Sequence, residues 1–201
     1  DGAIDSYKQA LRIKPDYADA YYNLGNVLKS KGDLDAAIDS YKQAIQIKPD
    51  YPEVYYNMGN ALQGRGDVEA AISSYKQALK LKPDYADAYY NMGNALRDKG
   101  DLEATIDSYN EALKIKPDYA EAYNNMGNAL RDNGNLEASI DSYEQAIQIR
   151  PDYAEAYNNM GNALKDKGDL GAAIENYQQA LKITPNFAEA YNNMGNALKY
   201  K

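Results

Sequence analysis

Apolar and small residues recur along this chain at the three-and-four spacing of amphipathic helices. Across residues 18–28 they fall at Ala20, Tyr21, Leu24, Gly25 and Leu28, which predicts a first helix, helix A. A second run puts Ala37, Ile38, Tyr41, Ala44, Ile45 and Ile47 on one stripe and predicts helix B. Asp16, following Pro15, is expected to cap helix A, and Lys31-Gly32-Asp33 ends it because Gly accepts the left-handed conformation after a last turn. Pro49 closes helix B through its missing donor and its constraint on the preceding residue. The pattern is that of a helical hairpin. Gly25 with Ala37, and their counterparts Gly59 with Ala71 and Gly93 with Thr105, are small where helices A and B should approach closely.

Laying residue 18 on residue 52, a period of 34 residues, aligns 18–51 with 52–85, 86–119, 120–153 and 154–187 without a gap. Residues 1–17 match the second half of this unit and 188–201 the first half. A unit this short cannot bury its own apolar face, so neighbours must stack into one continuous solenoid over 1–201, with no internal linker expected. The aromatic usage, 21 Tyr against one Phe and no Trp, fits a unit copied many times.

A 34-residue helix-turn-helix carrying Tyr21, Leu24, Gly25, Leu28, Ala37, Tyr41, Ala44 and Pro49 resembles the tetratricopeptide repeat (TPR), with Tyr where Trp is usual. The resemblance covers essentially the whole chain. It implies an all-α fold, a right-handed superhelical solenoid of antiparallel helix-turn-helix hairpins, whose A helices line an inner groove where relatives hold peptides or partner proteins.

If Tyr21, Leu24, Gly25 and Leu28 face the core, helix geometry turns Asp19, Tyr22, Asn23, Asn26 and Lys29 to the other side, and stacking makes each position a column. Two columns are asparagine throughout: Asn23, Asn57, Asn91, Asn125, Asn159 and Asn193, then Asn26, Asn60, Asn94, Asn128, Asn162 and Asn196. Each amide offers two donors and an acceptor, so such ladders can hold an extended peptide by its backbone. Asn is also a poor helix former, and a repeated break of a local rule marks function. The alternative is a soluble surface copied by duplication. The ladder is similar to the asparagine-lined superhelix of eukaryotic O-linked N-acetylglucosamine transferases, which implies a grip on protein substrates.

A further column reads Tyr22, Tyr56 and Tyr90, then Asn124, Asn158 and Asn192. Early repeats would then take apolar ligand side chains and later ones polar backbone, unless the tyrosines pack over a neighbouring unit. The acidic column, Asp19, Glu53, Asp87, Glu121, Glu155 and Glu189, suits the first helical turn, where it can bond back to the capping residue. Beside it, Lys29, Gln63, Arg97, Arg131, Lys165 and Lys199 are mostly basic and alternate with Asp, as solvated pairs do. TPR proteins that clamp two carboxylates place Lys and Arg where Tyr22, Asp19 and Asn23 stand here, so an acidic C-terminal tail is disfavoured as partner.

Charge and composition narrow the rest. With 22 Lys+Arg against 30 Asp+Glu the net charge is −8, which disfavours nucleic acid. No run approaches the roughly 18 apolar residues of a membrane span, no leader pattern marks export, and the cytoplasm is the default. There is no Cys and no His, no phosphate-cradling Gly loop, and Asp132-Asn-Gly-Asn-Leu lacks calcium-hand spacing. No catalytic residue, metal site or cofactor is expected. The expected function is a non-catalytic scaffold that binds a protein or extended peptide. The alternatives are a substrate-recruiting arm of a larger enzyme such as a glycosyltransferase, or a scaffold stacking head to tail, its unpaired terminal helices completing a hairpin between molecules.

Overall fold

The computed structural model describes residues 2–200, and among them the secondary structure is entirely helical. Tertiary contacts divide the chain into two compact units, Asp1–Gly100 and Asp101–Lys201, the division falling in the turn of the 86–119 repeat. The first unit holds α1 (Gly2–Ile13), α2 (Ala18–Ser30), α3 (Leu34–Ile47), α4 (Pro52–Arg65), α5 (Val68–Leu81) and α6 (Ala86–Lys99). The second holds α7 (Leu102–Ile115), α8 (Ala120–Asp132), α9 (Leu136–Ile149), α10 (Ala154–Lys167), α11 (Leu170–Ile183) and α12 (Ala188–Tyr200). Even-numbered elements are A helices and odd-numbered ones B helices. Within the first unit, α2 pairs with α3 and α4 with α5, and α1 packs on α2, α3 on α4 and α5 on α6. In the second, α8 pairs with α9 and α10 with α11, and α7 packs on α8, α9 on α10 and α11 on α12.

Each hairpin is organised around one tyrosine. Tyr41, Tyr75, Tyr109, Tyr143 and Tyr177 of the B helices are fully buried, with Ala37, Ala71, Thr105, Ser139 and Ala173 one turn earlier equally hidden. Burying one such aromatic side chain contributes about 1.5–3 kcal/mol. The glycines that recur in register receive these rings: a Cβ on Gly25 would lie 2.5 Å from Tyr41 Cε1, and one on Gly59, Gly127 or Gly161 would lie 2.6 Å from the matching tyrosine. The small residue of helix A thus meets an aromatic ring as its nearest neighbour, which the pairing of small residues in the sequence did not reveal. In one hairpin the B-helix position also bonds across, Ser139 Oγ donating to the Gly127 carbonyl at 2.8 Å.

Helix B begins as Asp and Asn side chains dictate. Asp33, Asp101, Asn135 and Asp169 each accept from the backbone N–H three residues on. Asp67 does not, because its carboxylate is taken by Arg65. The preceding turns need Gly: Gly32, Gly66, Gly100, Gly134 and Gly168 all have φ between +82° and +94°, a backbone conformation that residues with a side chain rarely adopt. Helix A starts differently from expectation. Its N-cap is Tyr17, not Asp16, and that residue makes no side-chain cap bond. Instead, the K-P-D-Y run clasps itself, Lys48 Nζ lying 4.3 Å and Lys82 Nζ 4.6 Å from the ring centroids of Tyr51 and Tyr85, with Lys116 over Tyr119 and Arg150 over Tyr153 likewise. Ile47 also departs from the expected buried stripe. It ends α3 and is 38% exposed, whereas Ile38 and Ala44 of the same helix are buried.

Candidate peptide-binding face

Most asparagines of the helix-A columns already hydrogen-bond within the fold, some between repeats and some inside one hairpin. Asn57 Nδ2 of α4 donates to the Tyr22 hydroxyl of α2 at 3.0 Å, and Asn91 Nδ2 of α6 donates to the Tyr56 hydroxyl of α4 at 3.0 Å. In the second unit, where the tyrosine is replaced, Asn159 Nδ2 donates to Asn124 Oδ1 and Asn193 Nδ2 to Asn158 Oδ1, each at 3.0 Å. One helical turn later, the other ladder anchors the buried tyrosines. Asn26, Asn60, Asn128 and Asn162 offer Oδ1 to the hydroxyls of Tyr41, Tyr75, Tyr143 and Tyr177 at 2.7–2.9 Å. A buried phenol needs such a partner, and an amide at that position on helix A supplies it.

These hydroxyls are correspondingly hard to ionise. Burial pushes Tyr143 and Tyr177 up to about 12, and Tyr41 and Tyr75 are raised further by the same cause.

Tyr22 and Tyr56 belong to the packing as much as to the surface. Both are half-buried; the Tyr22 ring centroid lies 5.2 Å from that of Tyr51 and Tyr56 lies 4.8 Å from Tyr85, at the start of the next A helix. Tyr90, on α6, is half-buried too. Asn124 and Asn158 differ from the expectation of an exposed polar column: they are 5% and 3% exposed. A short side chain at this position stays below the surface and meets its neighbours there, Asn124 Nδ2 also reaching Asn125 Oδ1 at 3.3 Å. Asn192 and Asn196, on α12, are exposed, while Asn23, Asn94, Asn125, Asn159 and Asn193 are half-buried.

The charged columns resolve unevenly. The acidic one does not bond back to a capping side chain, because the cap is a tyrosine. It pairs forward instead: Glu121 with Arg150, and Glu53 with Lys82 at 4.0 Å. Tyr51 is raised to about 12 by burial and then by its hydrogen bond to Asp19. In the basic column, Lys29 Nζ donates to Asn57 Oδ1 at 2.8 Å and its pKa is lowered by burial. Arg131 lies 3.7 Å from Asp166 and 3.8 Å from Asp132.

Beside Arg131 the second unit opens into a cavity of about 460 Å³, walled by Asn128, Asn159, Asn162 and Asn193 with Asn158 at its base and Glu189 and Asn192 also lining it. Sequence reasoning located these residues but missed the cavity, the Lys29–Asn57 bond and the tyrosine–amide pairs. The one signal for the pairs was that Tyr and Asn recur in fixed phase.

Helices of this length, paired antiparallel and repeated in register, define an all-α helical-repeat solenoid. The TPR-repeat family model matches residues 1–32, 25–66, 62–96, 93–131, 127–168 and 161–200, and the chain belongs to that family. Among solved structures it is similar to MamA, with a TM-score of 0.78 at 30% identity over 86% of this chain and 94% of that one. It is similar also to YrrB, described as a TPR protein with an unusual peptide-binding site, with a TM-score of 0.79 at 22% identity over 94% of this chain and 97% of that one. A MamA from Desulfovibrio magneticus RS-1 superimposes with a TM-score of 0.79 at 23% identity, over 85% and 97% of the two chains. No curated protein matches the sequence. Among the described residues, no helix is long and apolar enough to cross a membrane.

Proposed function

We propose that this protein is a non-catalytic scaffold that holds an extended protein segment against its A helices, the asparagine columns meeting the segment's backbone. The observation that carries the reading is the amide-walled cavity of the second unit, which concentrates polar groups able to bond in either sense around one opening. YrrB, a relative in fold, is described as peptide-binding, and this supports the reading by analogy. Selection of peptides from a random display library by the immobilised protein tests it. Resynthesised peptides should move the side-chain amide resonances of Asn159, Asn162 and Asn193 on titration. Shifts confined to the B helices would refute it.

A further inference from the structure

We propose that the exchange of tyrosine for asparagine in the Tyr22 column decides where a segment is held: in the second unit, beside Arg131, by a pocket that selects a side-chain carboxamide, Asn or Gln. This rests on the peptide-binding reading above and adds the place and the chemistry.

The hydrogen-bond inventory of the two units differs. In the first, Asn91 Nδ2 serves both the Tyr56 hydroxyl and Asn60 Oδ1, and Asn60 Oδ1 also accepts from Tyr75. Asn57 gives its amide to Tyr22 and takes Lys29 on its oxygen. Asn26 and Asn60 accept on Oδ1 from Tyr41 and Tyr75 as their second-unit counterparts do, but here the Tyr22 and Tyr56 side chains take the first ladder's amide hydrogens and their rings fill the space beside it. In the second unit, Asn158 carries only a short side chain, and the cavity stands where a ring would be. Asn128 and Asn162 engage only their oxygens, with Tyr143 and Tyr177, which leaves both Nδ2 groups as donors. Asn159 and Asn193 each use one amide hydrogen and keep an oxygen to accept with.

The charge of the site selects among ligands. Among the described residues Arg131 is the one cation lining the cavity, and Asp132 and Asp166 already balance it at 3.8 and 3.7 Å, with Glu189 also on the wall. A carboxylate ligand would add like charge, and an ammonium would face Arg131 and the amide donors. A neutral carboxamide satisfies both sets, its oxygen taking N–H from Arg131 or Asn162 and its N–H₂ reaching Asn159 Oδ1 or Glu189.

The chain supplies its own control. Asn158→Tyr installs the residue that position bears in the first unit; its hydroxyl can accept from Asn193 as Tyr22 accepts from Asn57, and Phe187 stands where Tyr51 receives the Tyr22 ring. With a random peptide display library and the full chain, wild type should enrich Asn or Gln at one position. A resynthesised peptide should lose at least about tenfold in affinity for Asn158→Tyr, its helical circular dichroism retained. Arg131→Gln, at the cavity edge, should weaken the same peptide and leave a Gln-to-Leu version of it unaffected, which keeps the test decisive should Asn158→Tyr fail to fold. Equal binding by a folded Asn158→Tyr, or enrichment of acidic or basic side chains instead, overturns this inference while the peptide-binding reading stands. A library that yields no binder overturns both.

Discussion

Alanine at Gly59 places a methyl group 2.6 Å from Tyr75 Cε1 and 2.8 Å from Cδ1, when ordinary contact begins near 3.4 Å. The ring must retreat by about 0.8 Å, and it has little freedom to do so: Tyr75 is fully buried and its hydroxyl is 2.8 Å from Asn60 Oδ1 and 3.0 Å from Gln63 Oε1. Overpacking of this kind costs about 1–3 kcal/mol, and a hydrogen bond strained by the retreat adds about 1 kcal/mol. Against this, Ala is a better helix former than Gly by about 1 kcal/mol. The net expectation is a loss of about 1–3 kcal/mol. In urea denaturation followed by circular dichroism, that lowers the midpoint by roughly half to one molar. Gly64, in the same helix, is the control: its nearest contact would be Leu34 Cδ1 at 3.4 Å, so Gly64→Ala should stabilise by about 0.5–1 kcal/mol. Tyr75→Leu combined with Gly59→Ala should be less damaging than the sum of the two single changes. A Gly59→Ala protein as stable as wild type would refute the claim that glycine is there to seat the ring.

Further consequences can be checked separately. Asn91→Ala removes two inter-repeat hydrogen bonds and should cost about 1–2 kcal/mol in chemical denaturation even without ligand, whereas an amide used only for binding would cost nothing. Tyr143 and Tyr177 titrate near 12 when folded and 10.0 when not, so the stability they lend is complete below pH 10 and lost as pH rises from there toward 12; denaturation midpoints should fall over that window, alongside the rise in phenolate absorbance. Partial burial is the largest single influence on the Glu121 carboxyl and raises it, but the hydrogen bond from Arg150, a backbone hydrogen bond and the charges of Arg150 and Lys116 together outweigh it, and the net shift is downward. Its contribution is therefore present above the unfolded value near 4.5 and lost as pH falls through the lower folded one. Because the pair is substantially exposed, Glu121→Gln should flatten the acid limb of the stability profile by only a few tenths of a kcal/mol. Gly66→Ala, at φ +91°, should destabilise by about 1 kcal/mol although nothing lies within 4 Å of its Cβ, which thermal melting can read.

The hairpins were legible in the order of residues. Residues three and four apart share a helix face whatever surrounds them, so Ala20, Leu24, Ala37, Tyr41 and Ala44 could be assigned to the core from spacing alone. Glycine in the turn and Asp or Asn after it carry their own conformational meaning, which made the helix A to helix B corner legible. The period of 34 residues then set the count of repeats and the columns. Tertiary structure alone decided what the columns do. Tyr22 and Asn57 are 35 residues apart and Lys29 and Asn57 are 28 apart, so their hydrogen bonds depend on how one hairpin sits on the next rather than on helix periodicity. An asparagine reads as exposed in any sequence pattern, yet Asn124 and Asn158 are buried because neighbouring amides complete them there. Ile47 reads as core yet is 38% exposed, because burial depends on the neighbour that covers a side chain and not on helix periodicity alone.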